Sequence, residues 1–312
     1  MPMTSGQKPS SQPANTSGAG NSSSLVSSWF SRAQALWCLA RFDKPVGILL
    51  LLWPTWWGLW LAAEGLPDWP RLLVFTLGTV LMRAAGCVLN DLADRHFDGA
   101  VARTAQRRLA TGEVSVPQAI ALAVVLLGAS ASLLVFLNEL ARQYAYVAVF
   151  VAAAYPYFKR FFPMPQAILG IAFGFGIPMA FADTHGQVPL YAWGLWLANV
   201  AWSIAYDTAY AMVDRDDDLK LGLRSSAITF GQADVLAVSL CQGFVLLVLF
   251  ALPFVVTLGL AYSVAWVLAV VWSYRLLMRL RSRSREDSFW VFRQSHWVGA
   301  LIWAGLALDF LL

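Results

Sequence analysis

The sequence predicts an all-α polytopic membrane protein, and three observations carry that prediction. Of the 312 residues, 59% are hydrophobic and only 13% are charged, with a mean hydropathy of +0.60. Apolar runs recur at about 20 residues each, the length of a bilayer-spanning helix. The basic residues fall almost entirely on alternate connections between those runs. A soluble domain carries about 25% charged residues, so a water-soluble globule would lack its polar coat. With 22 Gly and three Cys, the chain is neither collagen-like nor a disulfide scaffold.

Residues 1–28 are rich in Ser, Gly, Pro, Asn and Gln, and Lys8 is their only charge. They cannot bury enough apolar surface to fold and are expected to form a disordered cytoplasmic tail. The rest, 29–312, reads as a single domain. The tail shows neither a secretory apolar core nor an Arg-rich transit pattern, which favours a bacterial inner (plasma) membrane over an organelle. Apolar segments follow at 46–63, 70–90, 117–137, 142–158, 165–182, 190–213, 233–252, 256–278 and 290–311. Nine spans put the termini on opposite sides. With the N-terminus inside, Arg71 and Arg142 lie outside, Arg83 lies within a span, and every other basic residue is cytoplasmic. That asymmetry predicts a cytoplasmic N-terminus and a periplasmic C-terminus.

Trp53, Trp56, Trp57 and Trp60 cluster in the first span, and Trp193, Trp196 and Trp202 in the sixth. Tryptophans at such density read as interfacial anchors and lipid contacts, or as the lining of a pocket for an apolar substrate. Cys38, Cys87 and Cys241 are far apart in apolar surroundings and read as small buried hydrophobes.

The acids carry the functional signal. Eight of the 18 fall in two windows: Asp91, Asp94 and Asp98, then Asp207, Asp214, Asp216, Asp217 and Asp218. Both windows begin at the cytoplasmic end of a span, where an acid is costly by about 2.5–3.5 kcal/mol on insertion scales. On a helix, Asn90, Asp94 and Asp98 fall within about 80°, with Asp91 beside them, and Asp207, Asp214 and Asp218 within about 40°. Two oxygen-rich faces on one membrane side suit Mg²⁺, whose ions could bridge a diphosphate and neutralise a leaving group. Asp216 and Asp217 point away from that face. His96 reads as a loop residue and not as a ligand.

Cations follow each window: Arg103, Arg107 and Arg108 after the first, Lys220 and Arg224 after the second, with Lys159 and Arg160 closing the fourth span. They suit a phosphorylated ligand and also serve the topology. The run Arg275 to Arg285 has no acid partner upstream and reads as topology, with contact to anionic lipid. Arg83 stands about 10 Å deeper than Asn90 on nearly the same face. It requires an anion, either a protein carboxylate or a group on a second substrate.

Together these residues resemble the UbiA superfamily of intramembrane prenyltransferases, marked by an NDxxDxxxD motif and a second DxxxD motif. Here those are Asn90-Asp91 with Asp94 and Asp98, and Asp214 with Asp218. Further matching stretches are Arg41 to Gly47, Leu52 to Thr55, Leu81 to Asp91, Tyr155-Pro156 with Lys159-Arg160, Gly174 to Phe181 and Ala205 to Asp218. The similarity spans about residues 36–312 and is strongest to bacterial members that prenylate 4-hydroxybenzoate in ubiquinone biosynthesis. The resemblance implies nine helices around a cavity open to lipid and two Mg²⁺ ions bridging a polyprenyl diphosphate. Residue by residue, it implies metal and diphosphate contacts at Asn90, Asp91, Asp94, Asp98, Asp214 and Asp218, with Arg103 and Lys159 as diphosphate cations and Tyr155 at the substrate. One departure is clear: where the family reads Arg-Pro-Leu, this chain reads Arg107-Arg108-Leu109, which leaves that loop's conformation open.

The expected chemistry is electrophilic aromatic prenylation in a cavity that excludes water. Asp94 and Asp214 are the expected catalytic acids at the metal. Asp207 is expected to position or deprotonate the phenol. Arg83 is expected to receive the acceptor carboxylate, with Arg41 and Lys44 as competitors. A naphthoate, a porphyrin or another phenol could replace 4-hydroxybenzoate as acceptor. The rival from another class, a divalent-cation transporter, would need polar groups through the midplane, and the acids cluster at one face.

Overall fold

A computed structural model describes residues 31–96, 99, 104–158 and 160–312. Asp98, Arg103 and Lys159 lie outside the described residues, as does the N-terminal tail. Among the described residues the chain is helical throughout, with no strand. In order come residues 31–39 (α1), Val46–Ala63 (α2), Trp69–Asp94 (α3), Val116–Leu133 (α4), Glu139–Phe158 (α5), Pro165–Gly174 (α6) and Gly176–His185 (α7). Leu190–Leu221 (α8), Ser226–Phe230 (α9), Asp234–Ala251 (α10), Leu260–Leu280 (α11), Arg285–Gln294 (α12) and His296–Asp309 (α13) complete it.

Local chemistry explains the boundaries. Asp68 caps α3 by accepting the Arg71 backbone N–H at 2.8 Å, with Pro70 in the first turn where its missing N–H is harmless. Ser115 and Gln118 form a reciprocal capping box on α4. Gly222, at φ +67°, ends α8 in the left-handed conformation that glycine tolerates. The Asp309 carboxylate receives the backbone N–H groups of Gly259, Ala261 and Tyr262 at 2.7–3.2 Å, and so caps α11 from the last helix.

Among the described residues, six segments are long and apolar enough to cross a membrane: Val46–Ala63, Trp69–Asp94, Val116–Phe136, Pro165–His185, Ser226–Phe254 and Leu260–Leu280. The segments expected at 142–158, 190–213 and 290–311 are also helical, as α5, α8 and α12–α13. Two expected continuous spans are broken. The 165–182 span divides at Phe175 into α6 and α7, and the 290–311 span divides at Ser295 into α12 and α13. Gly174, Gly176 and Pro178 supply the first break, since glycine weakens the ladder and proline lacks a donor.

The helices pack chiefly as α2 on α7, α3 on α4, α6 on α8, α8 on α10 and α11 on α13. Small residues set several of these approaches. A Cβ at Gly170 would stand 2.8 Å from the Ser203 Cβ, and one at Gly299 would stand 2.7 Å from the Trp202 ring. The tryptophans depart from the anchoring expectation. Trp57 and Trp202 stack at 5.7 Å and are both 1% exposed. Trp53, Trp56 and Trp60 gather round Trp303 at 4.9–5.5 Å. These rings join α2 to α8 and α13 inside the bundle, because in a bilayer close packing drives helix association.

At the end of the bundle away from the acidic windows, Asp183 accepts from Arg71 Nε and the Asn138 backbone N–H, both at 2.8 Å. This ties α3, α5 and α7 together. A cavity of about 280 Å³ beside it is lined by Leu66, Asp68, Arg71 and Thr184 among others, and none of the candidate site residues reaches it.

Asp309→Ala removes the shared cap of α11. It is expected to lower stability by about 1–2 kcal/mol, seen as a lower melting temperature in detergent with turnover retained below the transition. An unchanged melting temperature would show that the cap carries no load.

Candidate active site

The site begins where α3 emerges at its acidic end. The helix ends at Asp94, so Asn90, Asp91 and Asp94 are helical. The expected helical face thus covers those three, and Asp98 lies outside the described residues. Asp91 is buried, at 2% exposure, and its carboxylate lies between two arginines. Arg41 donates to both oxygens at 2.9 and 3.1 Å, and Arg107 lies 2.9 Å from Oδ1. Asp91 thus meets cations from the segments before α2 and α4, and Arg41 is paired with it. Arg41 sits at φ +60°, a left-handed conformation uncommon outside glycine, and also bonds the Cys38 carbonyl at 3.1 Å. Lys44 is exposed at the entry to α2.

The loop after the first acids is held by its own backbone. Thr111 N–H bonds Arg107 O at 2.9 Å, Val114 N–H bonds Arg108 O at 3.0 Å, and Gly112 turns at φ +78°. Arg108, standing where the family has proline, pairs with Glu113, and that carboxylate raises its pKa above the ordinary value. The loop thus has a defined turn without proline.

Arg83 lies two turns deeper and partly buried. A Cβ on Gly47 of α2 would stand 2.7 Å from its guanidinium, so the bare backbone there gives it room. Its other contacts are the Cys87 Sγ and the Phe173 ring of α6, 6.0 Å from ring centroid to Cζ. Its Nε is buried with no hydrogen-bond partner. Among the described residues no carboxylate forms an ion pair with it. Arg83 of α3, Tyr155 of α5 and Asp207 of α8 each contribute to the electrostatic field at the Tyr206 hydroxyl.

The second window sits on the last turns of α8, and Asp214 is 8% exposed. Thr208 and Ser226 share a hydrogen bond at 2.7 Å, and the Ser226 N–H donates to Gln166 Oε1 at 3.0 Å, locking α8 to α9 and the start of α6. Asn90, Asp94, Asp214 and Asp218 offer oxygen donors only, the set a hard cation takes. Among the described residues no three His, Cys, Asp or Glu side chains converge as a protein cage.

The expected isolation of the Arg275 to Arg285 run does not hold. Arg279 pairs with Asp287 at 2.6 Å, Arg283 with Asp234 at 2.9 Å, and Arg285 with Asp216 and Asp217 at 3.5 and 3.6 Å. The Asp287 carboxyl is held below its ordinary pKa by the Ser282 hydroxyl and Arg279. Asp234, which the sequence reading passed over, is fully buried. Its only sequence signal is its place at the start of an apolar helix after Gly231, which reads as a cap. Gly47 and Phe173 are apolar, and Gln166 and Thr208 are uncharged polar residues in largely apolar runs, so none of the four stood out in the sequence.

A model of the UbiA prenyltransferase family matches residues 51–301. Among curated proteins, the chain is 51% identical over 274 residues to the 4-hydroxybenzoate octaprenyltransferase of Burkholderia lata, covering 88% of this chain and 96% of that one. It is 49% identical over 296 residues to the protein of the same name from Herminiimonas arsenicoxydans, covering 90% and 99%. Among solved structures, the apo UbiA homolog from Aeropyrum pernix K1 superposes with a TM-score of 0.74 at 24% identity, covering 84% and 97%. A UbiA homolog from Archaeoglobus fulgidus bound to GPP and Mg²⁺ gives a TM-score of 0.63 at 18% identity, covering 86% and 99%. At these identities the structures establish the shared fold.

Asp91→Asn leaves Arg41 and Arg107 without their common counter-charge. It is expected to cost about 3 kcal/mol and to speed proteolysis between residues 104 and 114. A melting temperature and cleavage rate equal to those of the unchanged protein would refute this role.

Proposed function

Because the chain belongs to the UbiA prenyltransferase family, we propose that it transfers a polyprenyl group from polyprenyl diphosphate to 4-hydroxybenzoate, with Mg²⁺, in ubiquinone biosynthesis. The observation that carries this reading is an identity of about one half, over most of the chain, to proteins named for that acceptor, with Arg83 standing inside the bundle, its Nε buried and without a hydrogen-bond partner. The named relatives are transferases, and no observation favours the cation-transport alternative.

Bound Mg²⁺ would supply charge neutralisation for the departing diphosphate. Asn90, Asp91, Asp94, Asp98, Asp214 and Asp218 would hold it, with Arg103 and Lys159 on the diphosphate. Asp91 also fixes Arg41 and Arg107. Arg83 receives the acceptor carboxylate, a role supported by its unsatisfied Nε and its support by Gly47 and Phe173. Asp207 positions the phenol and takes its proton, and Tyr155 lines the same substrate centre. The allylic C–O bond breaks with its electron pair going to the diphosphate, the ring carbon ortho to the hydroxyl bonds to the allylic carbon, the ring proton passes to the departing diphosphate, and Asp207 returns the phenol proton. Packed aromatic and aliphatic walls exclude the water that would trap the electrophile.

In the same reading α2, α3, α4, α5, α6–α7, α8, α10, α11 and α12–α13 make nine crossings of a bacterial inner membrane. The N-terminus and the acidic end face the cytoplasm and the C-terminus faces the periplasm. The six long apolar helices and the skewed placement of Lys and Arg support this.

Purified protein with Mg²⁺ and one polyprenyl diphosphate should convert 4-hydroxybenzoate to a product heavier by one prenyl chain, read by mass. A panel in which only a naphthoate or a porphyrin is prenylated would overturn the acceptor. Asp94→Ala should abolish Mg²⁺-dependent turnover. Arg83→Gln should raise the KM for 4-hydroxybenzoate by about ten- to 150-fold, the loss of a charged contact of about 1.5–3 kcal/mol. An unchanged KM and turnover would remove Arg83 from the acceptor site.

A further inference from the structure

The acidic end of α8 is gripped from outside the site. At about 1.5 Å per residue, the 32 residues of α8 span about 48 Å, more than the roughly 30 Å of a bilayer core. Its last turns are therefore beyond the apolar packing and hold Asp214, Asp216, Asp217 and Asp218, whose mutual repulsion favours fraying. Two ties oppose that. Arg215, next to Asp214, pairs with Asp234, which also takes Arg283 Nε at 2.9 Å and the Val235 N–H at 2.6 Å. Arg285 reaches Asp216 and Asp217. Arg283 comes from the connection between α11 and α12, and Arg285 opens α12.

These ties hold consecutive positions 215, 216 and 217, which project about 100°, 200° and 300° round the helix from Asp214. A rotation by one residue would break both ties and swing Asp214 and Asp218 off their common direction. Arg283 takes φ +54° and also donates to the Gln232 carbonyl, so its backbone is held in a left-handed conformation with its side chain on Asp234. Arg41 at φ +60° does the same for Asp91.

We propose that the Arg283–Asp234–Arg215 chain, with Arg285 on Asp216 and Asp217, is an ionic clamp that sets the rotation of the α8 end and so presents Asp214 and Asp218 to the metal–diphosphate. Asp234 is its central positioning residue. The proposal rests on the reading of Asp214 and Asp218 as metal ligands.

The test uses the full chain in detergent, with Mn²⁺ and inorganic diphosphate as probe and free Mn²⁺ followed by electron paramagnetic resonance. Arg283→Asn removes the charge and keeps a residue that tolerates the left-handed backbone; Asp234→Asn removes the centre. Both are expected to weaken Mn²⁺ binding about tenfold, at the lower end of the roughly 10–100-fold seen for outer-shell partners. The Mg²⁺ concentration for half-maximal turnover should rise by the same factor, with the acceptor KM unchanged. Should Asp234→Asn fail to fold, Arg283→Asn and Arg285→Gln, at exposed positions, carry the test. A lower melting temperature with unchanged Mn²⁺ affinity in the folded variants overturns the clamp. Asp214→Asn separates the two levels: if it too leaves Mn²⁺ binding unchanged, the ligand assignment itself fails.

Discussion

A carboxylate that leaves water at a helix end must be given opposite charge, and this protein meets that demand with shared arginines. Asp91 lies between Arg41 and Arg107, Asp234 between Arg215 and Arg283, and Asp183 binds Arg71 and the Asn138 N–H. Desolvation of each ion costs several kcal/mol, and geometry with more than one partner offsets it. Every one of these junctions joins segments that are distant in sequence. Where the acids can be compensated therefore decides which helix ends come together, and so where a charged ligand can enter an otherwise apolar bundle.

The breaks in the bundle serve the same end. Dividing the α6–α7 segment at Phe175 lets Gly170 and Gly174 lie against α8, while Phe173 on the adjoining face meets Arg83. In transporters, discontinuous helices mark binding sites because protein, not lipid, surrounds their freed backbone groups. Here the break brings α6 close to α8 at about the depth of Arg83. The tryptophans stiffen this centre from the other side, joining α2 to α8 and α13. A dry and rigid wall is what an allylic electrophile requires.

Two arginines in left-handed backbone conformation, Arg41 and Arg283, hold two buried acids, Asp91 of the first window and Asp234 at the start of α10. Such a conformation costs about 1–2 kcal/mol for an L-residue, and it persists because the ion pair and the carbonyl contacts over-determine it. The Arg108 loop makes a related point. A chain of backbone bonds and the Glu113 pair replace the stiffness of proline.

The class of fold was legible from the chain alone, because scarce charge and recurring apolar runs reflect the solvent the helices must face. The two acid windows were legible too, since Asn90, Asp94, Asp214 and Asp218 are costly at that depth and their helical spacing aligns them. Arg83 was visible as a lone cation in an apolar run. What the acids do with their neighbours was not legible. Asp91 and Asp94 look alike in sequence, yet Asp91 is enclosed by arginines from two distant loops. Asp234 drew no notice in the sequence, and its role follows from Arg215 and Arg283 standing on it. Gly47 and Phe173 gained a role only by standing beside Arg83. Periodicity and composition record one-body preferences for burial and charge; pairing is a many-body property, decided by which helix ends the tertiary packing brings within a few ångströms.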